Sequence, residues 1–256
     1  MFSFGDAATE DNSAGDNTAA ANSAVQDESG AAVAERPAQL SKRERTRALL
    51  REVALRSFRE RGYDATTVRR IAEEAGVSVG TTNYHFATKN HLVQELYLDV
   101  QEAHAAAAIP QLEGERDLVD RLAIVYRAGL DQLEPYHPYA PEFLAASVSP
   151  RSPINPLSEE SAPALAVIRS LFERAVDGAK SSLPDEFKAG LPQALVLSHL
   201  LLALLWVYDS SPDRARTRRI LDRALNLLRM TLPLTRIPGV RAPLRELLAL
   251  AGEVRA

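Results

Sequence analysis

From Ser41 onward the apolar residues recur every three or four positions, the spacing of helices that bury one face. Leu49, Leu50, Val53, Ala54 and Phe58 trace a first helix. It opens at Ser41-Lys42-Arg43-Glu44, where a serine hydroxyl and a glutamate three residues on can each satisfy an early amide, and it stops at Gly62. A threonine, Thr66 or Thr67, opens a second helix whose Val68, Ile71, Ala72 and Ala75 fall on one side before Gly76. Ser78 can cap a short third helix only two residues later. Thr88 caps a fourth, with Leu92, Val93, Leu96 and Val100 on one side, which the pattern carries to about Ala108, ahead of Pro110.

The helical spacing persists beyond it. Leu118, Leu122, Val125, Tyr126, Gly129 and Leu133 make one segment, and Leu165, Ile168, Leu171, Phe172, Ala175 and Val176 another. Between them lies a connection punctuated by Pro135, Pro138, Pro141, Pro150, Pro153 and Pro156, with room for one short helix around Glu142 to Val148. A leucine-dense helix near Leu191 to Tyr208, an arginine-rich amphipathic helix near Pro212 to Thr231 and a terminal helix after Pro243 complete the chain. No segment alternates as a strand does, so the fold class is all-α. The expected division is an acidic tail over residues 1–38, a small basic helical unit over 39–90, and a larger helical domain over 91–256.

Charge changes this picture more than composition does. The formal net charge is only −4, yet residues 1–35 hold Asp6, Glu10, Asp11, Asp16, Asp27, Glu28 and Glu35 and no lysine or arginine. Residues 41–70 reverse the balance with Lys42, Arg43, Arg45, Arg47, Arg51, Arg56, Arg59, Arg61, Arg69 and Arg70. A local positive field of that kind is what attracts phosphate, whatever the whole-chain sum. The tail has few large apolar residues to offset its ordering entropy and is expected to be disordered. It either competes with phosphate for the basic unit or is an inert extension.

The chain contains no cysteine, which removes disulfides and thiolate chemistry together. The amino terminus has no basic and apolar pattern of an export signal, and the apolar stretch Leu201 to Tyr208 is short for a membrane span. A cytoplasmic protein is expected. His91, His104, His137 and His199 show no metal-ligand spacing, and no nucleophile or phosphate-loop motif occurs, so neither a metal, another cofactor nor an enzymatic activity is expected.

Two short helices joined at Gly76 form a helix-turn-helix, and the second carries Thr81, Asn83, Tyr84 and His85 where a core helix would carry apolar residues. The run from Arg47 to Leu92 resembles the amino-terminal DNA-binding domain of the TetR family of transcriptional regulators. The resemblance rests on Phe58, Gly62 and Tyr63, on "TTV" with "IA", on "AGVS" with Gly80, and on "YHF" followed by Thr88 and Lys89. It implies a homodimer on operator DNA, with recognition helices in successive major grooves about 34–36 Å apart. It also implies a carboxy-terminal domain that binds a small-molecule effector and releases the repressor from its operator. By position, Thr67, Ser78, Tyr84, His85 and Lys89 would contact phosphates, and Arg69, Val79, Gly80, Thr81 and Asn83 would sit near base edges.

Two positions depart from the family pattern. Thr82 stands where an apolar residue usually packs inward, and Asn83 stands where tyrosine is common. Asn83 either reads a base pair or bonds a phosphate. The row Arg43, Arg47 and Arg51 is either a solvated face or a set of phosphate contacts.

In the larger domain, Tyr126, Phe143, Phe172 and Trp206 are the aromatic candidates for an effector pocket, with the proline-rich connection as either its lid or a passive loop. Leu197, Leu201 and Leu205, with Leu221, Leu225 and Leu228, are the candidates for a dimer interface, a pattern that a buried intradomain helix would share. The alternative function is a DNA-binding regulator whose larger domain serves only dimerisation or a protein partner.

Overall fold

The computed structural model describes residues 41–180 and 183–253, so the acidic tail lies outside the described residues. Among them the regular structure is helical throughout: α1 Lys42–Arg61, α2 Val68–Ala75, α3 Val79–His85, α4 Lys89–Leu112, α5 Leu118–Leu133, α6 Ala140–Ser147, α7 Ala162–Asp177, α8 Asp185–Lys188, α9 Leu191–Val207, α10 Ala215–Thr231 and α11 Pro238–Glu253. The local chemistry read from the sequence sets the first four. Glu44 N donates to Ser41 Oγ at 3.2 Å and Ser41 N to Glu44 Oε2 at 2.7 Å, closing the capping box of α1. The side chains of Thr67, Ser78 and Thr88 each accept an amide hydrogen bond at the start of α2, α3 and α4. Gly76 takes the left-handed conformation (φ 68°, ψ 27°) at the elbow between α2 and α3.

Helix α4 runs past Pro110 to Leu112, a turn beyond the expected end, because a missing amide and a crowded preceding carbonyl matter least where the helix is about to stop. It also crosses the expected boundary at 90/91 without a break. Its first half closes a small core with Leu50, Val53, Ala54, Phe58, Tyr63, Ile71 and Phe86, to which it adds Leu92 and Val93. Its second half packs on α5 and α7. Leu118, Leu122, Val125, Ile168, Leu171, Phe172, Val196 and Trp206 belong to the larger core beyond. We call the two regions the head and the body.

The body also buries ionisable groups. The Arg121 guanidinium, on α5, donates to the carbonyls of Leu112 and Glu115 (2.7 Å each), Arg174 (2.9 Å) and Ala175 (2.7 Å), tying together the ends of α4 and α7. Asp209 accepts from Ser211 and Thr217, backbone and side chain alike, and so caps the approach to α10. Burial pushes that carboxyl up, but the four hydrogen bonds outweigh it and hold it well below the usual carboxylate range.

The segment Glu186–Val207, which includes α9, is 22 residues long and apolar enough to cross a membrane by length and composition, longer than the Leu201 to Tyr208 stretch alone suggests. In this fold it packs against α7, α10 and α11.

Candidate nucleic-acid interface

The outward face of α3 consists of Val79, Gly80, Asn83 and Tyr84, all exposed. Its inward face is held by Thr82, which is buried and donates to the Ser78 carbonyl at 3.3 Å. That contact is why a threonine serves where an apolar residue was expected: its methyl packs and its hydroxyl is satisfied within the helix. Thr81 is half-buried, with its hydroxyl bonded to Ser78 Oγ at 2.8 Å. Thr67 and Ser78 are exposed at the N-caps of α2 and α3, where the amides of the first turn point outward.

The remaining predicted contacts divide. Arg69 is exposed, and its Nε donates to Glu73 at 3.0 Å in an ion pair too solvated to hold it back from another partner. Tyr84 is 70% exposed and lies under the Arg43 guanidinium, 5.6 Å from the ring centre. His85 is half-buried beside Tyr84 and Phe86. Lys89 faces inward: its ammonium donates to the Tyr63 carbonyl at 2.7 Å and the Asp64 carbonyl at 3.3 Å and sits over the Tyr63 ring. Desolvation lowers its pKa, with Asp64 opposing. In this structure Lys89 is half-buried and fastens the α1–α2 connection with two of its three donors.

Of the arginine row, Arg47 pairs with Glu95 and lies over the Phe86 ring, and Arg51 pairs with Asp99. Both therefore join α1 to α4. Only Arg43 is turned to the α3 side.

The proline-rich connection has a role the sequence did not disclose. Ile154, between Pro153 and Pro156, is fully buried in the head core. Gln94, on α4, donates to the Pro153 carbonyl at 2.8 Å and accepts from Ser161 Oγ at 3.0 Å, while the Tyr97 hydroxyl donates to the Ile154 carbonyl at 3.1 Å. Asn155 folds the strap on itself, donating to the Ser149 carbonyl and accepting from the Leu157 amide. So the latter part of the connection is a strap on the head, while its first part touches the body through His137 and Trp206. The available signal was a single large apolar residue, Ile154, stranded among proline, serine and asparagine.

The four aromatic candidates for an effector pocket are not brought together. Tyr126 and Phe172 are buried side by side, with ring centres 5.2 Å apart. Phe143 packs edge-on against Phe58 of the head at 5.5 Å, and Trp206 sits against His137 at 4.8 Å. Phe143 packs on the head core, whereas Tyr126, Phe172 and Trp206 share the body core, with Trp206 turned toward His137. Two surface clefts, of about 510 and 200 Å³, open beside Arg174 and between α5 and α10, and neither is lined by these four.

Next to Tyr126 and Phe172 lie His104 and His199, distant in sequence but stacked with ring centres 5.4 Å apart. Gly129 makes room for both, since a Cβ there would stand 2.8 Å from the His104 ring and 3.1 Å from the His199 ring. His104 Nε2 donates to the Val125 carbonyl at 2.7 Å, whereas His199 Nδ1 is buried with no hydrogen-bond partner among the described residues. Burial, with His104 beside it, pushes the His199 imidazole down to about 3. Among the described residues no group of three or more histidines and carboxylates could hold a metal ion.

On α9, Leu201 and Leu205 are exposed and Leu197 half-buried, with Leu204 and Tyr208 exposed on the same side. On α10, Leu221 and Leu225 point inward and join the body core, and Leu228 packs against it. The exposed apolar residues of α10 are instead Ile220, Leu227 and Met230. Burial of Leu221 and Leu225 sets this phase, and exposed ion pairs accompany it: Arg218 reaches Asp131, Asp222 reaches Arg127 and Arg229 reaches Asp120, so those positions face α5 and leave Ile220 and Leu227 outward.

With this geometry in view, comparison with known proteins is decisive. Residues 50–96 match the model of bacterial regulatory proteins of the TetR family, and residues 121–252, more than half of the chain, match that of the tetracyclin repressor-like C-terminal domain. The chain belongs to the TetR family of DNA-binding transcription regulators. It is 34% identical over 88 residues to the HTH-type transcriptional repressor KstR2 of Mycobacterium tuberculosis, a match covering 34% of this chain and 44% of KstR2. The chain thus spans less than half the length of that relative. A TetR-family regulator from Syntrophomonas wolfei superposes with a TM-score of 0.60 at 15% identity, over 72% of this chain and 94% of its own. FadR from Bacillus subtilis, solved in complex with stearoyl-CoA, superposes at 0.50 and 18% identity over 68% and 95%. These two likenesses establish the TetR fold.

Proposed function

We propose that this TetR-family protein is a homodimeric, cytoplasmic repressor that grips operator DNA through two copies of the head, residues 39–90, and lets go when the body, residues 91–256, binds a small-molecule effector. The observation that carries the reading is the outward face of α3. A seven-residue helix is held by buried Thr82 and the N-cap at Ser78, after the turn at Gly76, so that Val79, Gly80, Asn83 and Tyr84 are exposed beside Arg43. Such a helix fits a major groove, with Thr67, Ser78 and Arg43 placed for flanking phosphates.

Dimerisation is supported by the apolar stripe of Leu201, Leu204, Leu205 and Tyr208 on α9 beside Ile220 and Leu227 on α10, which a single chain leaves exposed. Two such helix pairs around a twofold axis bury one another and fix the separation of the heads. Release follows when an effector prefers a body conformation in which that separation is wrong. The strap supplies a mechanical link, because Ile154 and Gln94 fasten the start of α7 to the head core and to the first half of α4. Effector entry beside Tyr126 and Phe172 requires displacement of packed side chains, and the polar groups it would meet are His104 and His199.

The closed packing around Phe172 favours a second reading, in which the body serves assembly alone. Selection of operator DNA from a random duplex pool tests the first claim, and a twofold-symmetric consensus is expected. Compounds are then screened for release of that operator, beginning with acyl-coenzyme A thioesters because FadR carries one. Release accompanied by a raised melting temperature supports the effector reading; a dimer that binds its operator and responds to no compound supports the second.

A further inference from the structure

The reading of α3 as a recognition helix leaves open what it reads, and the hydrogen-bond accounting along it narrows that choice. Ser78 Oγ is occupied by the Thr81 amide at 2.9 Å and the Thr81 hydroxyl at 2.8 Å. Thr82 is buried and bonded within the helix. His85 is half-buried, and the exposed Tyr84 ring leans toward α1 under Arg43. Asn83 remains: the exposed amide on the outward face, with no hydrogen-bond partner among the described residues.

Its neighbours on that face are fitted to close approach. Gly80, three residues before it, has no side chain, and a Cβ built there meets only Ser78 Oγ, at 3.6 Å. Val79, four residues before it, presents methyl groups at 40% exposure. An amide combines one donor and one acceptor in a planar fork. In the major groove that fork matches the N7 acceptor and N6 donor of adenine, while a methyl-bearing neighbour suits the C5-methyl of thymine.

We infer, resting on the repressor reading above, that Asn83 is a specificity-determining residue on α3 and demands an A·T pair at one fixed position of each half-site. Its amide nitrogen donates to adenine N7 and its carbonyl oxygen accepts from N6, with Gly80 allowing the approach and Val79 against a thymine methyl.

The test is selection from a random duplex pool with the full-length chain and its Asn83→Ala and Asn83→Asp variants. Circular dichroism and melting temperature are measured alongside to show that the exposed substitution leaves the fold intact. The wild-type protein is expected to enrich a symmetric site with one invariant A·T pair per half. Asn83→Ala loses discrimination at that pair by roughly 10- to 100-fold and keeps every other preference. Asn83→Asp, similar in size but without the donor for N7, loses the adenine preference as well. If the wild-type protein enriches no sequence, the repressor reading itself falls and this inference with it. If the wild-type consensus appears and Asn83→Ala keeps it at every position with uniformly weaker binding, Asn83 is a phosphate contact, and the inference alone is overturned.

Discussion

The head and the body bury polar groups in different ways. Inside the head the buried polar side chains are hydroxyls with local partners: Ser57 meets Thr66 at 3.2 Å, Thr66 bonds the Gly62 carbonyl at 3.0 Å, and Thr82 bonds Ser78. Inside the body they include, beside hydroxyls such as Ser161, Thr217 and Thr235, the ionisable groups Arg121, Asp209, His104 and His199. A small core bears the desolvation of ions poorly, so apart from the half-buried Lys89 the head keeps its charged groups toward the surface, where nucleic acid can use them. The body is large enough to use charge internally, as a tie between helix ends. The head's smallness has a second consequence, since part of its core, Ile154 and the adjoining Phe143, comes from the strap and α6.

The sharpest way to break this contrast is at Arg121. Arg121→Met keeps much of the length and removes the guanidinium donors from the Leu112, Glu115 and Ala175 carbonyls, while the Arg174 carbonyl keeps the Gly178 amide. A loss of about 3–5 kcal/mol is expected in urea unfolding. A loss below about 1 kcal/mol would mean that water or a shift of α7 replaces the guanidinium readily.

Next in size is Ile154→Ala. Truncating a fully buried isoleucine costs about 2–4 kcal/mol, and the location of the loss matters more than its amount. Hydrogen exchange should quicken at amides of α1 and the first half of α4, with the α7 to α9 amides unchanged relative to the global unfolding rate. If only strap amides respond, the head core stands without Ile154, and the proposed mechanical link loses its basis.

Acid sharpens the comparison from the body's side. His199 takes up a proton near 6.5 when unfolded and only at about 3 when folded. Above pH 6.5 neither state holds the extra proton and stability is unaffected; below it the unfolded state binds the proton and the folded state does not, so stability falls with pH until about 3. The loss due to His199 is about 2 kcal/mol at pH 5. His104, also shifted down by burial, adds to it in the same direction. The depressed carboxyl of Asp209 contributes only at lower pH, below its ordinary value of 3.8. His199→Leu should flatten the stability profile between pH 6.5 and 5, and an unchanged slope would assign it to another group.

The two regions also differ in how far they could be read beforehand. The head was legible because its determinants are local: Ser41, Thr67, Ser78 and Thr88 cap where their spacing to the next apolar run requires, and Gly76 sits at the elbow. The body's helices were legible from the same periodicity, but their pairings were not. His104 and His199 meet across many intervening residues, and Arg121 reads as an ordinary helix-surface arginine until the ends of α4 and α7 close over it. The phase of α10 was missed by one position, because leucines lie on both sides of that helix and only its packing on the body core, with the partners of Arg218, Asp222 and Arg229 on α5, decides which row turns inward.

The smallest expected effect separates packing from charge as the bond between head and α4. Arg51 pairs with Asp99, and both side chains are partly exposed, 23% and 39%. A pair so hydrated gives little net attraction, so Arg51→Ala should cost under about 1 kcal/mol, and less still at high salt. The Ile154 contact is dry and indifferent to ionic strength. If Arg51→Ala proved as costly as Ile154→Ala and its effect vanished in molar salt, the head would be held to α4 by ion pairs. Ionic conditions would then tune head spacing directly, and the strap would be reduced to filling space.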